Sequence, residues 1–148
     1  MAAHGINKVF GGGRIAGTAG WFASIGMKPG VLNAYAASLA EMSCGLLLIA
    51  GFLTTLASAG AIAVMLVALW TVHRKNGFFI IKEGWEYTFL IAVAAVLLAT
   101  LPSKYSLDHA FGIDDDLSGT FGFWLSLILG LAASHALLAV FYRPPKKA

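Results

Sequence analysis

The sequence predicts an all-α fold, a polytopic helical bundle in a membrane, and three observations carry that prediction. The 148-residue chain is 59% hydrophobic and 11% charged, with a mean hydropathy of +0.80, whereas soluble domains carry about a quarter charged residues. Its cations gather at the ends of apolar segments, where membrane topology places them. The run from Val31 to Trp70 contains one formal charge, Glu41.

The elements follow in order. Residues 1–30 carry Gly11, Gly12, Gly13, Gly17, Gly20 and Gly26. Glycine costs about 1 kcal/mol in a helix interior, so residues 5–30 are expected largely at the interface. Val31 to Trp70 is too long for one span, because a bilayer core takes about 20 residues. Gly51 offers a helix stop and Thr54 an N-cap, giving spans at 31–51 and 54–73. A third is expected at 86–102, closed by Pro102, and a fourth at 120–142, closed by "RPPKKA". Between them lies "SKYSLDHAFGIDDDLSG", a polar loop with Asp114, Asp115 and Asp116. The chain reads as one membrane domain: an interfacial or truncated first helix (1–30), a core (31–109), then an acidic loop and extra helix (110–148).

Four spans put Lys8, Arg14, Lys28, Arg74, Lys75, Lys82, Arg143, Lys146 and Lys147 on one face and Lys104 alone on the other. The excess of Lys and Arg marks the cytoplasmic side, so loop 74–85 and the C-terminus are expected in the cytoplasm. The same distribution argues against a nucleic-acid partner, since no basic patch forms. Cys44 has no second cysteine to pair with, and "MAAHGINKVFGGGR" lacks the apolar region of a signal peptide. No Walker loop, dinucleotide fingerprint, zinc spacing or nucleophile elbow is present.

The stretch "HRKNGFFIIKEGWEY" (73–87) crowds charge and aromatic surface between two apolar runs. Headgroup-level cations and an aromatic belt of Phe78, Phe79, Trp85 and Tyr87 explain most of that composition. They leave unexplained the order H-x-x-N-G-F-F followed by G-x-E-Y. That order, with "LAEMSCGLLLIAGFLTT", a Met-containing second span ending in His73, and a closing "SLD", resembles the DoxX family of small bacterial membrane proteins over roughly residues 1–109. "AHGINKVFGG" resembles the end of that family's first transmembrane helix, so the chain is expected to begin inside it. The extra helix at 120–142 departs from the family pattern, and its small face from Gly130 to Ser134 suggests docking onto other membrane subunits. The resemblance implies a bacterial inner membrane location and association with redox complexes. Family members are similar to the membrane subunit of an archaeal thiosulfate:quinone oxidoreductase, and mycobacterial ones are linked to a complex with a superoxide dismutase and a sulfurtransferase.

Glu41 is the sharpest candidate, about 15 Å into its span by helical rise, at a depth where an unpaired carboxylate is costly. Its expected partners are His4 or Lys8 from the N-terminal segment, or His135 from the extra helix. His73, Glu86 and Tyr87 meet at one interface and have the donors, acceptors and proton route that a quinone head requires. Haem ligation by His73 and His135 fails on depth, because helical rise sets them about 10 Å apart along the normal. Two functions remain: a redox subunit that contacts quinone or passes protons for a partner enzyme, and a structural or assembly subunit binding helices and lipid. Transport is weaker, because so few short helices leave little room for alternating access.

Overall fold

The computed structural model describes residues 1–145, and Lys146 and Lys147 lie outside the described residues. Eight α-helices and no strand form among the described residues: α1 Ala2–Phe10, α2 Arg14–Ser24, α3 Gly30–Ala50, α4 Thr54–Thr71, α5 Glu86–Thr100, α6 Leu107–Ala110, α7 Asp114–Leu117 and α8 Gly119–Phe141. Three are long and apolar enough to cross a membrane: α3, α4 and α8, of 21, 18 and 23 residues. The expected third span, 86–102, forms as the 15-residue α5, about 22 Å long against a hydrocarbon core of about 30 Å. Its helical pattern stops at Thr100, and Leu101 is already extended ahead of Pro102, as the residue before a proline tends to be.

Helix α4 is the axis of the bundle, packed by α3, α5 and α8. Small residues make this possible: Ala57, Ser58, Ala61 and Ala63 of α4 are buried. The small stripe of α8, Gly122, Ser126, Gly130 and Ser134, is the buried face of that helix. A Cβ at Gly130 would lie 2.6 Å from Ile62 Cγ2, and one at Gly122 would collide with the Ala99 carbonyl. The small face expected to dock partner subunits is therefore spent inside the chain, where backbones approach closely for van der Waals contact.

The turn between α3 and α4 departs from its expected cap. Gly51 does end α3 in the left-handed region, at φ 59°. Thr54 is the first residue of α4 and supplies no side-chain cap. The cap comes from Asp108, whose two carboxylate oxygens accept from Leu53 N at 2.6 Å and Thr54 N at 2.9 Å. Asp108 N in turn donates to Gly51 O at 2.9 Å. A carboxylate at a helix N-terminus satisfies orphan donors and opposes the helix dipole favourably. The aspartate of "SLD" thus fastens the loop after α5 onto the α3–α4 turn. Around it the polar loop forms two one-turn helices, and His109 Nδ1 lies 2.8 Å from Asp114 Oδ2, a hydrogen bond that lowers the Asp114 pKa below the ordinary carboxylate value.

At the opposite end, Lys28 N donates to Phe141 O at 2.9 Å and Arg143 N to Gly26 O at 2.7 Å. This end, with Lys28, Arg74, Lys75, Lys82 and Arg143, is the basic face. The segment 73–85 that closes it is knit by its own groups: Trp85 N donates to Gly77 O at 3.1 Å, Glu86 N to Phe78 O at 2.8 Å, and Ile80 N to Glu86 Oε2 at 2.9 Å. Gly77 at φ 78° and Gly84, whose Cβ would meet the Phe78 carbonyl at 2.5 Å, allow that closure. Much of the "NGFF" and "GWEY" pattern is therefore loop architecture.

Asp108→Ala removes both capping acceptors and should cost about 1–2 kcal/mol. It is expected to lower the detergent-solubilised protein's thermal midpoint, with Asp108→Asn losing less. An unchanged midpoint for Asp108→Ala would contradict the clamp.

Candidate functional site

The site is built from α1 upward. Residues 2–10 form α1, which runs opposite to α3 along its middle. Gly5 is buried so closely against α3 that a Cβ would lie 2.6 Å from both Met42 Cγ and Ser38 O, and Gly45 leaves room for Ala2. Gly5 and Gly45 are thus approach points, while Gly11–Gly13 break α1 from α2. Helix α2 then packs near the α3 start, with Ala19 and Ala23 against Gly30.

This arrangement puts Lys8 Nζ 2.5 Å from Glu41 Oε1. Glu41 is the twelfth residue of α3, about 17 Å from its start by helical rise. It is 5% exposed. Lys8 therefore belongs to the interior of the bundle and not to the cations of the basic face. Its ammonium offsets a carboxylate that the bilayer would otherwise make costly. The second carboxylate oxygen, Oε2, is buried and has no hydrogen-bond partner among protein groups, an arrangement that ordinarily costs about 1–3 kcal/mol.

A cavity of about 320 Å³ opens beside the pair, within the usual range for small-molecule sites. Lys8 and Glu41 supply its charges, and Trp21, Phe22 and Met27 with Ala37, Ala40, Val64 and Val67 supply most of its apolar wall. Asn33 and Thr71 also line it, but each is bonded to the backbone of its own helix region, Asn33 Nδ2 to Pro29 O and Thr71 Oγ1 to Val67 O. The chemistry offered to an occupant is therefore one ion pair, the remaining polar capacity of Asn33 and Thr71, and an apolar wall.

The other sequence-nominated residues separate into groups. His73 Nε2 is 2.6 Å from Tyr87 Oη, and its Nδ1 is 2.7 Å from Glu83 O. The carbonyl can only accept, so Nδ1 carries the proton and the tyrosine hydroxyl donates to Nε2. Glu86 is turned away from this pair and caps the Ile80 backbone. His4 is exposed on α1. His135 is exposed on α8, its Nδ1 2.7 Å from Leu131 O, so neither histidine joins Glu41. Rotation about α8 turns Ser134 inward and the next residue, His135, out. Asp108 and the cavity wall were missed. The "SLD" triplet signalled Asp108, while the wall's alanines and valines look like any apolar helix face.

Lys8→Met should destabilise the bundle by about 3–5 kcal/mol, because it strands a buried carboxylate. Adding Glu41→Leu should recover most of that loss, a coupling read from a double-mutant cycle of thermal stability. Additive effects would mean that the two residues do not form a pair.

A family model for DoxX matches residues 1–74. No curated protein matches the chain, and no solved structure does. The matched half runs from α1 through α4 and includes Lys8, Glu41 and every cavity-lining residue named here. By that match, and with three membrane-length apolar helices, the chain is an integral membrane protein that belongs to the DoxX family.

Proposed function

We propose that this protein serves as an accessory subunit of a redox complex in a bacterial inner membrane and holds a quinone head in the cavity beside Glu41. The observation that supports this reading is a small-molecule-sized apolar cavity lined by an intramembrane ion pair. Isoprenoid quinones are apolar bodies with a polar, protonatable head, and the cavity offers that combination. The His73–Tyr87 pair, on the basic face, is a proton-exchanging group between bilayer and water. The basic face is the cytoplasmic one on the charge distribution, with Lys28, Arg74, Lys75, Lys82 and Arg143 against Lys104.

A second reading is a structural subunit without chemistry. It draws on the same pair, since Lys8–Glu41 also bonds α1 to α3, and on His73, whose two nitrogens are both engaged within the chain. Isolation of the intact complex from native membranes separates the two. The redox reading expects a co-purifying oxidoreductase and extractable quinone, with Glu41→Gln leaving assembly intact but abolishing quinone-linked activity. A complex free of quinone in which Glu41→Gln is silent and Glu41→Leu blocks assembly would overturn it in favour of the structural role.

A further inference from the structure

We infer that the segment from Gly77 to Lys82 is an in-plane lipid anchor: Phe79, Ile80 and Ile81 sit among the acyl chains of the leaflet at the basic face, and Arg74, Lys75 and Lys82 hold the phosphates of anionic lipids. This goes beyond the quinone reading and does not rest on it.

An aromatic belt needs rings at the boundary, but it does not need two isoleucines turned out of a loop. Phe78, Phe79, Ile80 and Ile81 are all exposed, Ile81 at 88%. Four apolar side chains in a row on the outside of a turn are costly in water. A loose loop does not explain their exposure, because Lys82 N and Gly84 N donate to Phe79 O, Trp85 N to Gly77 O, and Ile80 N to the Glu86 carboxylate. The surface they extend is the lipid-facing one. Edge-to-face rings run from Phe79 to Phe78 at 5.4 Å, on to Trp85 at 4.8 Å and on to Phe89 at 5.8 Å, and Phe89 begins the outward row of α5 with Val93 and Leu97. Length points the same way. Helix α5 falls about 8 Å short of a hydrocarbon core, and an apolar segment lying in the interface reaches about 5–10 Å into it. After α5, Leu101 and Pro102 give way at once to Ser103 and Lys104, so most of the missing apolar length comes from the basic end.

The charge beside the apolar tip selects the lipid. Arg74, Lys75 and Lys82 are exposed against one exposed acid, Glu83, since Glu86 is bound to Ile80 N. The Arg74 guanidinium lies 4.0 Å over the Trp70 ring, which holds its donor fork at the membrane edge, where it matches a phosphate. Cations at that level favour anionic over zwitterionic headgroups.

The full-length protein, reconstituted in vesicles of phosphatidylcholine mixed with phosphatidylglycerol, would carry a nitroxide at Ile81→Cys in a Cys44→Ala background, with Asp115→Cys on the acidic loop as the water-exposed reference. Power-saturation spectra should show more collisions with oxygen than with a water-soluble nickel chelate at position 81, and the reverse at position 115. Phe79→Cys supplies the same reading should Ile81→Cys not assemble. Collisions dominated by the chelate would put the segment in water and overturn the insertion; few collisions with either reagent would put it under a second copy of the chain and overturn it equally. Spin-labelled phosphatidylglycerol should associate with the protein at least about fivefold more strongly than phosphatidylcholine, the worth of one cation at an anionic surface. The Lys75→Gln/Lys82→Gln variant should lose most of that preference. A ratio near one in the unmodified protein, or one unchanged in the variant, overturns the phosphate contacts.

Discussion

A carboxylate deep inside a bilayer has few options: protonation, a counter-ion, or a polar cavity. Glu41 has a counter-ion in Lys8, delivered by α1. That delivery governs much of the N-terminal half. Gly5 must be glycine-small for α1 to lie against Met42 and Ser38, Gly45 must admit Ala2, and the Gly11–Gly13 break must turn the chain so that α2 reaches the start of α3. The break leaves a gap between α2, α3 and α4, and this gap is the cavity. One electrostatic demand thus links the ion pair, the broken first helix and the binding volume.

The other half of the chain holds that arrangement from outside. Asp108 clamps the α3–α4 turn at one face, and backbone pairing of residues 26–28 with 141–143 ties α8 to the α3 start at the other. Between them α8 lays its glycine and serine stripe on α4. Close packing of small residues replaces the hydrophobic drive, which is absent between helices in lipid. The faces left outward, with Trp124, Ile128 and Val140 on α8 and Phe89, Val93 and Leu97 on α5, suit hydrocarbon.

The membrane class, the helix positions and Glu41 as a buried group needing a partner were legible in the sequence, because apolar runs and a solitary intramembrane charge have direct energetic meaning. Lys8 was legible as one of three partners, since the expected end of a first helix held it, but no linear pattern could choose it over His4 or His135. That choice depends on rotation about α1 and α8. The cap by Asp108 was hidden for a different reason. Thr54 satisfies the local rule for an N-cap, and only tertiary contact reveals that a carboxylate 54 residues away takes its place. The count of four full spans is shown only as three membrane-length helices and the shorter apolar α5, which was read as running to Pro102 and ends at Thr100.

The account turns on α1 lying at the depth of Glu41, with its lysine bonded to the carboxylate. Solid-state NMR of the protein in lipid bilayers, with ¹⁵N in Lys8 Nζ and ¹³C in Glu41 Cδ, measures that link through the dipolar coupling of the two nuclei. A distance of about 4 Å or less, the range of a formed ion pair, is the result the account predicts. Absence of measurable coupling, with Lys8 exchanging freely with water, would contradict it.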